Sequence, residues 1–320
     1  MKIVVLDGYA MNPGDLSWDG LQRLGDVVIY DRSSEKEVLE RAKGAEIVLT
    51  NKVSLPAQII ESLPELKYIG VMATGYNIID MDCARKRGIV VTNVPGYSTP
   101  SVVQLTFSLL LELCYRTQRH SDAVTGGKWT ASPDFCFWDY PLTELSGKTL
   151  GIIGFGSIGQ KVADVGAALG MSVLAYSRTK TDQSHRQNFK WATEQAELLA
   201  QADIVSLHCP LTPQTENLIN VESLAIMKPS AIIINTSRGG LVDASALANA
   251  LNEDRISGAG IDVLPIEPPP AGNPLFNAKN CLITPHIAWA TKESRIRLLD
   301  VVVGNIKSFL DGQSVNVIGS

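Results

Sequence analysis

The 320-residue sequence has no cluster of basic residues and no long uninterrupted apolar run. At a formal net charge of −5 it lacks the electrostatic driving force for phosphate backbones or anionic lipid, so nucleic acid and membrane are not expected as partners. No apolar segment approaches the ~20 residues that span a bilayer. The opening MKIVVLDGYA, acidic at Asp7, does not have signal-peptide architecture. Cys83, Cys114, Cys136, Cys209 and Cys281 are odd in number and scattered, with no CxxC spacing. A disulfide framework is not expected, and reduced thiols in a cytoplasm are the simplest reading. His120, His185 and His208 form no HExxH or HxH pair, so no metal is assigned.

What is present is a well-packed α/β chain. Hydrophobic residues make up 45% and charged residues 19%, and 320 residues exceed a single small core, which predicts two domains. KIVVLD, VVIYD, EIVLTN, KYIGVM and IVVTNV are short β-branched runs, near-continuously apolar, as in parallel strands covered on both faces. Between them lie helical patterns such as SEKEVLERAKG, with a Ser34 cap and a Gly44 stop. TPSVVQLTFSLLLELCYR predicts a long helix capped by Thr99 with Pro100 at its first position. The aromatic stretch GGKWTASPDFCFWDYPL predicts a loop that packs over something.

A second series begins at Lys148, with TLGIIG, SVLAYS, DIVSLHC, AIIINTS, GAGIDV and CLITPH as strands. The final amphipathic helix, ended by Gly312, is expected to pack back on the front half. The expected fold class is therefore α/β with two doubly wound parallel sheets. A Rossmann cofactor domain, residues 99–287, is inserted into a flavodoxin-like substrate domain, residues 1–98 plus 288–320.

Gly154, Gly156 and Gly159 in GIIGFGSIG match GxGxxG directly after a strand and before a helix. The first glycine permits a tight turn, the second lets backbone approach a pyrophosphate, and the third lets helix and strand pack closely. The helix N-terminus offers unpaired N–H groups to the phosphates. A carboxylate for the ribose 2′-hydroxyl is expected ~20 residues on. SVLAYSRTK instead places Ser177 and Arg178 there. Without a carboxylate to repel a 2′-phosphate, and with Arg178 able to pair with it, NADP(H) is favoured and NAD(H) remains possible. The alternative is that Arg178 is an ordinary solvated arginine.

Three later stretches place polar side chains just past strands: Arg238 in IIINTSRGGLVD, Asp262 and Glu267 in GAGIDVLPIEPPP, and His286 in LITPHIAWA. In an open α/β sheet ligands bind outside the carboxyl ends of the strands, which is also where the glycine loop lies. Arg238 suits a substrate carboxylate and carbonyl. His286 suits proton exchange with an alkoxide, and Glu267, if bonded to the other ring nitrogen, would stabilise the imidazolium. Taken singly, each has a bland alternative as a buried histidine, an ion-paired arginine or a solvated acid. Their common edge favours one shared site.

With GKTLGIIGFGSIG, HCPLTPQTENLI, INTSRGGLVD, GIDVLPIEPP and TPHIAW, the sequence resembles the D-isomer-specific 2-hydroxyacid dehydrogenases over essentially its full length. GVMATGYNIID, VPGYSTPSVVQLTFSLLLEL and DFCFWDYPL resemble most closely the glycerate dehydrogenase (hydroxypyruvate reductase) branch. The resemblance implies an active site between the domains, a homodimer, a small 2-keto or 2-hydroxy acid substrate, and Arg238, Glu267 and His286 as catalytic residues. It further implies substrate-carboxylate binding by Ala73, Thr74 and Gly75. Cofactor contacts are implied from Ser157, Ile158, Cys209, Thr236 and Asp262, the last at the carboxamide, and more weakly from Val103. Trp138 is either a packing residue or a cover over substrate. Two other functions use this fold: a nucleotide-sensing corepressor scaffold, and formate dehydrogenase, whose branch carries Gln where this chain has Glu267.

Overall fold

A computed structural model describes residues 1–319, and the chain divides into two compact units. The first comprises Met1–Ser98 and the chain from Ala290 onward; the second is Thr99–Trp289.

In the first unit, β1 (Lys2–Val5), β2 (Asp26–Ile29), β3 (Ile47–Thr50), β4 (Tyr68–Val71) and β5 (Val90–Thr92) form a parallel sheet in the order β2-β1-β3-β4-β5. This is the flavodoxin-like doubly wound order. Every residue of β3 and β4 is buried, which is why these segments read as near-continuous apolar runs. The helix Glu35–Ala42 starts where Ser34 N–H and Oγ–H donate to Glu37 Oε2 (2.8 and 2.6 Å). It is followed by Gly44 at φ +71°. The helix Lys292–Leu310 belongs to this unit. Phe309 packs on Tyr68 with ring centroids 4.9 Å apart, and Arg295 makes a two-point ion pair with Asp15 (2.6 and 2.7 Å).

In the second unit, β6 (Thr149–Ile153), β7 (Ser172–Tyr176), β8 (Phe189–Trp191), β9 (Ile204–Leu207), β10 (Ile232–Asn235), β11 (Gly258–Ile261) and β12 (Cys281–Ile283) form a parallel sheet in the order β12-β11-β10-β9-β6-β7-β8. Strand order reverses between β6 and β9. Apolar clusters cover both faces: the helices Thr99–Tyr115 and Ser157–Ala168 pack on one, and Gln195–Gln201 and Ala244–Asn252 on the other.

Three details differ from the sequence expectation. β8 was not expected; at three residues it is too short for a periodic signal, and pairing of Phe189–Trp191 with Val173–Ala175 creates it. The long helix begins at Thr99 itself, so Thr99 is not its cap and Pro100 is its second residue. Proline is tolerated there because first-turn N–H groups lack intrahelical acceptors. Finally, the second unit extends two residues past the expected boundary, to Trp289. Ile287 and Ala288 are held to it by Asp262, and Ser101 Oγ donates to Ala288 O (2.5 Å).

Candidate active site

The glycine turn follows β6. Gly154 has φ +95°, and a Cβ there would lie 2.4 Å from Cys209 N, so the turn is pressed against the end of β9. A Cβ on Gly159 would lie 2.3 Å from Gly154 O, which sets how closely helix and strand pack. At Gly156 a Cβ would meet nothing within 4 Å. The open side of the turn is thus the second glycine, where a pyrophosphate needs bare backbone. Ser157 and Ile158 open the 12-residue helix Ser157–Ala168, whose first turn holds no acidic residue, and its free N–H groups suit an anion. Past β7, Ser177 is half-buried and Arg178 exposed, with no carboxylate at the strand end. These residues fit a dinucleotide.

On the neighbouring strand ends, Cys209 is half-buried, and burial raises its thiol pKa. Thr236 is buried, its Oγ1 3.2 Å from Thr106 Oγ1 of the long helix. Val103 lies in the core between that helix and the sheet.

Beyond β12, His286 adopts φ +55°, a left-handed conformation unusual for a non-glycine residue and stored where surrounding structure enforces it. The enforcing group is Asp262. Its main-chain carbonyl accepts His286 N–H (2.8 Å). Its carboxylate accepts Thr284 Oγ1–H (2.6 Å), Ile287 N–H (2.9 Å) and Ala288 N–H (2.9 Å), donors that bracket the histidine on both sides. Burial pushes the Asp262 carboxyl pKa up, and those three donors oppose the shift. Asp262 is therefore a brace for the His286 turn, a role not legible as sequence spacing.

Glu267 accepts Leu264 N–H at Oε1 (2.9 Å), and its Oε2 lies 2.5 Å from His286 Nδ1. The carboxylate is thus fixed at both oxygens, and the imidazole presents Nε2 away from it. Arg238 sits in a turn whose shape is set by the buried Asn235, which accepts Ser237 N–H (3.0 Å) and donates to Arg238 O (2.9 Å). The guanidinium is exposed. The adjacent Gly239 was missed as a determinant. A Cβ on it would lie 1.9 Å from Leu264 C, so the Arg238 turn rests directly on the Leu264–Pro265 peptide, next to the Leu264 N–H that holds Glu267. Arg238, Glu267 and His286 consequently occupy contiguous turns at the carboxyl edge of one sheet.

In the first unit, Ala73, Thr74 and Gly75 form the turn after β4. Thr74 Oγ1 donates to Val94 O (2.9 Å), and Asn93 Nδ2 donates to Thr74 O (2.7 Å). The turn after β3 lies beside it through Asn51 Nδ2 to Met72 O (2.7 Å). Asp7 secures that turn by accepting the N–H groups of Asn51, Lys52 and Val53 (2.7, 2.6 and 3.1 Å).

A Rossmann unit with a glycine turn open to a pyrophosphate, and a carboxylate-held histidine on the same sheet edge, defines a dinucleotide-dependent oxidoreductase. Residues 107–288 match the model of the D-isomer specific 2-hydroxyacid dehydrogenase NAD binding domain, and the chain belongs to that family. It is 50% identical to a hydroxypyruvate reductase of Blautia hydrogenotrophica, over 99% of both chains. It is 42% identical to a glycerate dehydrogenase of Methylorubrum extorquens, over 88% of each. An NADPH-dependent glyoxylate/hydroxypyruvate reductase of Sinorhizobium meliloti, solved with NADP and malonate, superposes with a TM-score of 0.84 at 27% identity, covering 99% of this chain and 96% of that one. The protein is an oxidoreductase of the 2-hydroxyacid dehydrogenase class with an NAD(P)-binding unit.

Proposed function

We propose that this enzyme reduces hydroxypyruvate to D-glycerate, or glyoxylate to glycolate, with NADPH, and accepts NADH less well. The observation that carries the reading is the 2.5 Å pairing of His286 Nδ1 with Glu267 Oε2 beside the glycine-turn edge. The bound dinucleotide supplies hydride to the keto carbon. Arg238 binds the substrate carboxylate and polarises the carbonyl. His286 donates its Nε2 proton to the forming alkoxide and is left as the Nδ1–H tautomer, which Glu267 holds in place. Gly154, Gly156, Ser157, Ile158 and Gly159 receive the pyrophosphate. Cys209, Thr236 and Val103 line the nicotinamide half. Asp262, with one lone pair of Oδ2 left over from its protein bonds, accepts from the carboxamide.

The test is a steady-state panel of hydroxypyruvate, glyoxylate, pyruvate and phenylpyruvate, each with NADH and NADPH. Hydroxypyruvate or glyoxylate should give the highest kcat/KM; absence of turnover with all four overturns the reading.

Arg178 supports the cofactor preference. Arg178→Ala should raise the NADPH dissociation constant about 10–100-fold, the value of a charged hydrogen bond, with little change for NADH. Equal losses for both would make the arginine a bystander.

Exposed aromatic side chains support a homodimer. Phe135 is 90% exposed, Trp138 64% and Trp129 52%, all in the loop expected to pack over something. A second copy supplies the missing cover. The five cysteines are unpaired, consistent with work in a reducing cytoplasm. Glu267→Gln should lower kcat about 10–100-fold at little cost in KM, because an amide orients the imidazole but does not stabilise its charged form. An unchanged kcat would remove the carboxylate from the mechanism.

A further inference from the structure

Among the described residues, one buried side-chain nitrogen has no hydrogen-bond partner: Nδ1 of His208. His208 follows β9, and its N–H donates to Ile153 O (2.7 Å). The His208–Cys209 peptide lies on the glycine turn, since a Cβ on Gly154 would be 2.5 Å from His208 C. Ser206 is in register with Ile152 on β6 and Ile234 on β10. Two residues on, His208 therefore stands between Gly154 and Thr236, on the sheet face that also carries Ile152 and Ile234. This is the point where strand order reverses, the crevice in which doubly wound sheets hold ligands.

The tautomer follows from Ser206. That residue is fully buried, and the partner of its Oγ is His208 Nε2, 2.8 Å away. With no other acceptor for it among the described residues, the serine hydroxyl hydrogen goes to Nε2, which is then unprotonated. Burial pushes the His208 pKa down to about 4, so the ring is neutral at ordinary pH and its single proton lies on Nδ1. Nδ1–H is thus an enclosed donor, and what it lacks is specifically an acceptor.

We infer that His208 Nδ1–H binds an oxygen of the dinucleotide between the pyrophosphate and the nicotinamide ribose. The inference rests on the dinucleotide reading above. The position along the cofactor follows from topology: β6, β7 and β8 form the half that takes the adenosine side, and β9 opens the second mononucleotide half. A neutral donor also suits this place, because it adds no charge to compete with the helix N-terminus for the phosphates.

Two substitutions separate the ring nitrogens. Asn carries its amide N–H close to the Nδ1 position, whereas Gln reaches towards Nε2 and leaves nothing at Nδ1. Calorimetric titration of the full-length protein with NADPH, with 2′-phospho-ADP-ribose and with 2′,5′-ADP reads the result. His208→Gln should weaken NADPH and the ADP-ribose about tenfold, as for one lost hydrogen bond, and leave 2′,5′-ADP unchanged, because that fragment lacks the distal half. His208→Asn should bind all three like the unsubstituted protein. Equal affinity of His208→Gln for NADPH, or weakening that includes 2′,5′-ADP, overturns the inference. Imidazole ¹⁵N spectra of the unsubstituted protein decide it independently of any variant's folding. The Nδ1-protonated tautomer should be present, with its proton moving downfield as NADPH is added; an Nε2-protonated ring overturns the inference. If the unsubstituted protein binds neither NADPH nor NADH, it is the dinucleotide reading that fails.

Discussion

His286→Asn is expected to lower kcat by about 10²–10⁴-fold, the contribution of a positioned acid–base group, while the NADPH dissociation constant stays unchanged. Asparagine is the informative substitution for a conformational reason. His286 sits at φ +55°, and Asn is among the few side chains that tolerate left-handed backbone well. The turn bracketed by Asp262 should therefore survive. The amide also reaches towards Glu267 from roughly where Nδ1 stood, so the carboxylate is not abandoned. What is lost is the titratable nitrogen that exchanges a proton with substrate. Single-turnover reduction with NADPH already bound isolates this step from binding. A kcat within a few-fold of the unsubstituted enzyme would take the histidine out of the chemistry.

The second large effect is at Gly239, a residue that touches no reacting atom. A Cβ there would stand 1.9 Å from Leu264 C, 2.2 Å from its carbonyl oxygen and 2.4 Å from Pro265 N. All three are backbone atoms, so no side-chain rotation relieves the clash. Gly239→Ala must push the Arg238 turn off the Leu264–Pro265 peptide, next to the Leu264 N–H that secures Glu267. We expect a loss of about 3 kcal/mol, the upper end for overpacking, and a fall in Tm of about 6–12 °C for a unit of this size. Substrate KM should rise and kcat should fall together, because the guanidinium and the His–Glu pair are displaced relative to each other. Gly156→Ala is the matched control. Its Cβ meets nothing within 4 Å, so Tm should hold while dinucleotide affinity drops, the methyl group occupying the space a pyrophosphate needs. A Gly239→Ala protein with ordinary melting and kinetics would show that the two turns move independently.

Much of this architecture was legible in one dimension because parallel strands buried on both faces leave a distinctive mark. Ile47–Thr50, Tyr68–Val71, Ile204–Leu207 and Ile232–Asn235 are buried at every position, and each reads as a near-continuous apolar run between helical patterns. The glycine spacing was equally readable, since φ +95° at Gly154 and the closeness of Gly159 to Gly154 O permit no other residue. Arg238, Glu267 and His286 could be picked out because each follows a strand, and strand ends in a parallel sheet share one edge. In contrast, Phe189–Trp191 became a strand only by pairing with β7, and Phe135 and Trp138, expected to pack over something, are exposed in the single chain.

By itself, then, the sequence determined the two doubly wound units, the dinucleotide turn and the types of side chain at the carboxyl edge. Each of these depends on local periodicity or on a backbone conformation that few residues can adopt. Only the tertiary structure decided how that edge is held. Asp262 clamps the His286 turn, and Gly239 lets the Arg238 turn rest on Leu264. Such contacts join main-chain atoms and side chains that are not neighbours in sequence. Their energies depend on distances of a few ångströms, which no spacing along the chain encodes.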